Sequence, residues 1–200
     1  MEKVVEAKTL GCSDISQEEA VQLAASAVRW LHAQLPSVPP TVFGRIPSSN
    51  TPPCHPIFRD HQASRVFADA NDLANFLSQA SQLSRKSSNR RLSPPDVLSL
   101  FGAHRQICHS DVEPQNFLLD SAQGGLVWVV DFEHIAVLPE VFQTYAFFIN
   151  TGPLPFAAQV GRALEYRPSD KADKMVSIPS TILASGFCSS NFFMRPRSQS

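Results

Sequence analysis

Apolar residues recur at spacings of three and four over Val21, Ala24, Val28, Leu31 and Leu35, a stripe that predicts one helix with a single face turned to a core. Ser16 and Glu19 stand ahead of it as a capping box, with the hydroxyl accepting from the Glu19 N–H and the carboxylate reaching back. Pro36 ends the helix. The first dozen residues, MEKVVEAKTLGC, read as a short extended stretch, and Ser37 to Pro56, rich in proline, serine and threonine, reads as a connector. A second helix is expected over Leu73, Phe76, Leu77 and Ala80, with Asp69 or Asn71 as its N-cap. Ser93-Pro94-Pro95-Asp96 opens a short helical segment through Leu100.

The period then changes. Gln106-Ile107-Cys108 reads as a strand, and Phe117-Leu118-Leu119 and Leu126 to Val130, separated by the turn residues Ser121 to Gly125, read as a β-hairpin that ends at Asp131. Residues 140 to 149 and 156 to 164 are helical in pattern, whereas the last thirty or so show no sustained period and are expected to be a poorly ordered tail. Trp30 and Trp128 are expected to pack in the core. The fold class is therefore α+β, mainly helical, with one domain.

Composition removes several functions. A formal net charge of −1, with lysine and arginine thinly spread, provides no field for nucleic acid or an anionic membrane. The basic run Arg85, Lys86, Arg90 and Arg91 has no interleaved aromatics and reads as a solvated loop. No run approaches the roughly 18 to 20 apolar residues of a bilayer span, and Met1 to Glu6 carry charge without an apolar segment behind them. Cys12, Cys54, Cys108 and Cys188 lie far apart with no C-x-x-C pair, so reduced thiols in a cytoplasmic protein are expected.

The dense polar cluster lies between His109 and His134 and holds His109, Asp111, Asn116, Asp131, Glu133 and His134. Its order is H-x-D-x-x-x-x-N, a hairpin, then Val-Val-Asp-Phe-Glu. That order suits phosphoryl transfer, which needs a carboxylate beside the acceptor hydroxyl and oxygen ligands to hold Mg²⁺ against a triphosphate. Cys108, His109, Asp131 and His134 also suggest a hydrolase metal site, but the chain has no H-x-H or H-E-x-x-H element. Glu133 and His134 also read as a polar pair that caps and orients the loop after the strand, the role that suits His134 better. Arg59-Asp60-His61 reads either as an acceptor-binding cluster or as a local ion pair.

The run His109-Ser110-Asp111-Val112-Glu113-Pro114-Gln115-Asn116, followed by Asp131-Phe132-Glu133, resembles the catalytic and metal-binding loops of aminoglycoside phosphotransferase and choline kinase-like enzymes. Pro114 and the D-F-E ending are closer to that group than to protein kinases, which carry D-F-G. The resemblance implies Asp111 as catalytic base, His109 as the residue that fixes the loop, and Asn116 and Asp131 as the ligands of Mg²⁺ bound with ATP. Ser110 departs from the arginine of protein kinases and the glycine common in this family, without moving either ligand.

By the same resemblance residues 1–12 form the hinge segment, 13–166 a kinase-like C-terminal lobe with its catalytic-loop hairpin, and 167–200 the tail. No G-x-G occurs in the chain, and nothing ahead of the hinge supplies the lobe that covers the nucleotide. The expectation is a truncated phosphotransferase, of a family that phosphorylates a small-molecule hydroxyl, inactive alone. The alternative is a non-catalytic, pseudokinase-like binding protein whose partner covers the hinge face.

Overall fold

The computed structural model describes residues 7–39, 42–46, 50–58, 61–82, 92–102, 104–121, 125–149, 155–172 and 174–175. The first predicted helix, α1 (Gln17–Ala33), starts where its cap places it, with the Ser16 hydroxyl accepting from the Glu19 N–H at 3.2 Å. It buries Val21, Ala24, Val28 and Leu31 as the stripe requires. Trp30 is 61% exposed, against expectation. The reason is angular: at 100° per residue Trp30 projects nearly opposite Val28, off the apolar stripe.

Helix α2 (Ala70–Gln82) is capped by Asp69, whose Oδ1 accepts from the Asp72 N–H at 2.9 Å. Helix α3 (Pro94–Phe101) carries a complete capping box between Ser93 and Asp96. Ahead of α2, Arg65 makes a bidentate pair with Asp72 at 2.8 and 2.6 Å and lies 4.9 Å over the Phe67 ring. That pair holds the Asp72 carboxyl below its ordinary range.

Among the described residues, two three-stranded antiparallel sheets flank the loop over 110–116. In one, β1 (Lys8–Thr9), β4 (Phe117–Asp120) and β5 (Leu126–Val129) lie in the order β1-β4-β5, so the predicted hairpin is present and the amino-terminal stretch is paired beside it. In the other, β2 (Gly44–Arg45), β6 (Ile135–Pro139) and β3 (Arg105–His109) lie in the order β2-β6-β3. Strand β6 has no counterpart in the sequence reading. All five of its residues are buried, so it lacks the alternation that marks a half-exposed strand.

The connector over 37–56 is more structured than its composition suggests. It supplies β2, and Cys54 bridges to Gln62. Phe43, His55, Ile57 and Phe58, in and just beyond this stretch, are all buried. Proline and serine favour loop geometry locally, but four large side chains with somewhere to pack outweigh that preference. His55 is fully enclosed, with Nδ1 accepting from the Ile57 N–H at 3.1 Å and Nε2 2.9 Å from the Phe142 carbonyl. Packed structure also continues past 166, where the tail was placed: Ala172 and Met175 are buried, and Met175 joins the core around α2 and α3. Residues 176–200 lie outside the described residues.

Helices α4 (Glu140–Phe148) and α5 (Phe156–Ala163) complete the α+β architecture, α4 packing on β3 and α5 on both α1 and α4. Among the described residues no helix is long and apolar enough to cross a membrane. The α4–α5 approach depends on Gly161, where a Cβ would stand 2.8 Å from Phe147 Cγ and 2.9 Å from its Cβ. Ala is the better helix former by about 1 kcal/mol, but overpacking of a filled core costs about 1–3 kcal/mol. Gly161→Ala is therefore expected to lower the urea midpoint. An unchanged or raised midpoint would show that the two helices separate freely.

Candidate functional site

The loop that carries Asp111 and Asn116 runs from the end of β3 to the start of β4, and both ends are fixed by buried groups. His109, the last residue of β3, is fully buried and stacks on Phe117 with ring centroids 5.7 Å apart. Gln143 of α4, equally buried, reaches across to it. The Gln143 Oε1 accepts from the His109 N–H at 2.7 Å, and its Nε2 donates to the His109 carbonyl at 3.0 Å. One side chain thus does what a neighbouring strand would do at the point where β3 turns into the loop. The His109 Nδ1 in turn accepts from the Asp111 N–H at 3.3 Å. His109 therefore stands behind Asp111 and fixes it, rather than facing the cleft.

Asp111 and Asn116 are joined directly. Asn116 Nδ2 donates to the Asp111 carboxylate and to its carbonyl, each at 2.8 Å, which leaves Oδ1 as the remaining ligand atom of the amide. The Asn116 carbonyl accepts from the Val130 N–H at 3.0 Å, tying the loop to the far end of the hairpin. That tie brings in Asp131, which sits in the left-handed region at φ 61°, ψ 54°. Aspartate tolerates this region better than most side chains. The turn of 3₁₀ helix that follows, Phe132–His134, returns His134 to the same side. Asp111, Asp131 and His134 each offer one ligand atom, and the three atoms lie within 4.8 Å of one another.

Electrostatics follow from this packing. Burial pushes the His109 imidazole down to about 4, a fall that the Asp111 charge opposes. Burial, and secondarily the charge of Asp111, raise the Glu113 carboxyl. Glu133 pairs with Arg45 of β2 at 3.7 Å, so it braces the turn from the outside. Cys108 takes no part: it is fully buried, its thiol is pushed up to about 12, and it faces away into the α2–α3–α4 core. That placement removes it from any metal site built on Asp131 and His134.

A cavity of about 160 Å³ opens on Asp111 and is lined by Ser110, Glu113, His134 and His61. His61 is the described member of the Arg59-Asp60-His61 cluster, since Arg59 and Asp60 lie outside the described residues, as does the basic run 85–91. A larger cavity of about 690 Å³, between α1, α3 and residues 164–171, touches none of the loop residues. The smaller one is where Asp111, Glu113 and His134 converge.

Sequence reasoning singled out Asp111, Asn116 and Asp131, which the fold brings together, and His109, which it places behind them. It missed Gln143 and gave Ser110 no role. The Ser110 hydroxyl lies 3.0 Å from the Cys54 carbonyl and 3.3 Å from His134 Nδ1, joining connector, loop and turn. The signal for Gln143 was a lone amide inside the apolar run Val141 to Phe148. Compared with known proteins, the chain matches no family model and none of the curated proteins.

Proposed function

We propose that this chain carries the catalytic loop and metal-binding turn of an ATP-dependent phosphotransferase that acts on the hydroxyl of a small molecule. The observation that carries the reading is the pair of hydrogen bonds that Asn116 Nδ2 donates to Asp111, with Asp131 held alongside through the Asn116–Val130 link. This gives each group a distinct task. Asp111, half-buried on the cavity, accepts the proton of the acceptor hydroxyl as its oxygen attacks phosphorus. Asn116, with its Nδ2 committed to Asp111, orients that carboxylate and keeps Oδ1 as its ligand atom.

The donor set suits a hard divalent ion: one amide oxygen and one carboxylate, with room for water. Asn116 and Asp131 would hold Mg²⁺, which when bound neutralises charge on the phosphates. The resemblance of HSDVEPQN and the D-F-E turn to phosphotransferase loops supports the same assignment.

Calorimetric titration with Mg²⁺ is the test. Wild-type protein is expected to bind, and Asp131→Asn, which keeps a side chain tolerant of the left-handed backbone, is expected to lose binding by at least about tenfold. Equal binding by both would remove Asp131 from the metal site. No binding by wild type would sink the reading in favour of a non-catalytic binding protein.

A further inference from the structure

We propose that His134 is itself a metal ligand, its Nε2 binding a first-row divalent ion together with the Asp131 carboxylate beside Asp111. The inference rests on the phosphotransferase reading only for placing a metal at Asp131; the nitrogen donor is additional to it and follows from hydrogen-bond accounting. The Ser110 Oγ has one hydrogen and three neighbours: the Cys54 carbonyl at 3.0 Å, the His134 carbonyl at 3.3 Å and His134 Nδ1 at 3.3 Å. Carbonyls only accept, so the hydroxyl hydrogen goes to a carbonyl, the nearest being that of Cys54. The contact with Nδ1 is then made by the imidazole hydrogen donating to Oγ. That fixes a hydrogen on Nδ1, and in the neutral ring it leaves Nε2 with a lone pair.

The lone pair faces carboxylates. Nε2 lies 3.7 Å from Asp131 Oδ2 and 3.8 Å from Glu133 Oε1. Two electron-rich atoms opposed in this way call for a cation between them. These separations are too long for an N–H···O hydrogen bond, which is lost by about 3.6 Å. They suit an ion, because two ligands each about 2.1 Å from one metal stand roughly 3 to 4.2 Å apart. Ser110 then plays the part that an outer-shell partner plays at metal-bound histidines, holding the ring and its tautomer from the far nitrogen. Asp111 stays at the edge of this group, with its carboxylate bonded to Asn116. An imidazole donor favours first-row transition ions over Mg²⁺. The site therefore binds Mn²⁺ more tightly than Mg²⁺, and Ser110, outside the family pattern, becomes the residue that makes this possible.

Electron spin-echo spectroscopy of the full chain loaded with Mn²⁺ alone tests this, with affinity for Mn²⁺ and Mg²⁺ measured alongside by calorimetry. The expected wild-type spectrum shows ¹⁴N modulation from a directly bound imidazole, and the signal disappears in His134→Gln. Mn²⁺ affinity is expected to fall roughly 10- to 100-fold in His134→Gln and by about tenfold in Ser110→Ala. The wild-type spectrum decides even if a variant fails to fold. Mn²⁺ binding that Asp131→Asn weakens but that shows no nitrogen modulation would overturn His134 ligation and leave the phosphotransferase reading standing. Absence of Mn²⁺ binding, or binding indifferent to Asp131→Asn, would overturn both.

Discussion

Lowering the pH from 7 to 5 is expected to remove on the order of 4 kcal/mol of folding stability, about half through His55 and half through His109. Burial holds the His55 imidazole at about 3 and that of His109 at about 4, against an ordinary 6.5. Both rings are neutral in the fold and take up protons on unfolding below about 6.5, so acid favours the unfolded chain. The stability they contribute is complete above that pH. It is lost as pH falls, through about 4 for His109 and about 3 for His55. Protonation is resisted because His55 has no acceptor left for a second hydrogen: Nδ1 already accepts from the Ile57 N–H, and Nε2 faces the Phe142 carbonyl. Glu113, raised by burial, works in the opposite direction and offsets part of the loss. Urea unfolding at the two pH values is the measurement, with an expected fall in midpoint of about 2 M for a slope of about 2 kcal/mol per molar. His55→Gln should recover roughly half of the pH dependence, since an amide keeps a donor for Phe142 and does not titrate. Identical wild-type midpoints at pH 7 and 5 would contradict the burial of both rings.

Gln143→Leu is expected to cost about 2–6 kcal/mol and to weaken metal binding at the proposed site, which Gln143 does not touch. Leucine nearly matches the volume, so the cost arises from polar accounting rather than from a cavity. The His109 N–H and carbonyl would both be left buried without their partners, at about 1–3 kcal/mol each. The functional part follows from position. His109 fixes the Asp111 N–H, and Asp111 is the anchor of Asn116. Releasing the end of β3 therefore releases the loop that presents both. Gln143→Glu keeps the acceptor for the His109 N–H and, when burial holds its carboxyl protonated, a donor for the carbonyl, so it should fall between the two. Chemical denaturation and metal calorimetry on the three proteins check this. A Gln143→Leu protein with unchanged stability would show that water or backbone movement satisfies the strand end.

Much of the fold was legible because its signals are local. A cap, a stripe at helical spacing and a turn between two apolar runs concern residues close in the chain, and α1, α2, α3 and the β4–β5 hairpin all formed where those signals placed them. The candidate residues were legible for the same reason, since Asp111 and Asn116 sit five apart on one loop. Other features were not. Strand β6 is buried on both faces and so shows no alternation, and its partners β2 and β3 come from distant parts of the chain. The connector reads as loop by composition, yet Ile57 and His55 are fully buried because α2 and α4 provide a surface for them.

The sequence by itself determined the chemistry on offer: a carboxylate, an amide and a second carboxylate in an order that suits phosphate and metal, on a chain of near-neutral charge. Tertiary structure decided which groups support them. Gln143 lies 34 residues from His109, and Cys54 lies 56 from Ser110, separations at which no local preference relates one side chain to another. Only the packing of α4 against β3, and of the connector beside the loop, brings those partners within hydrogen-bond reach. The orientation of the His134 ring depends on that packing because a tautomer is set by the neighbours of a ring and not by its place in the chain.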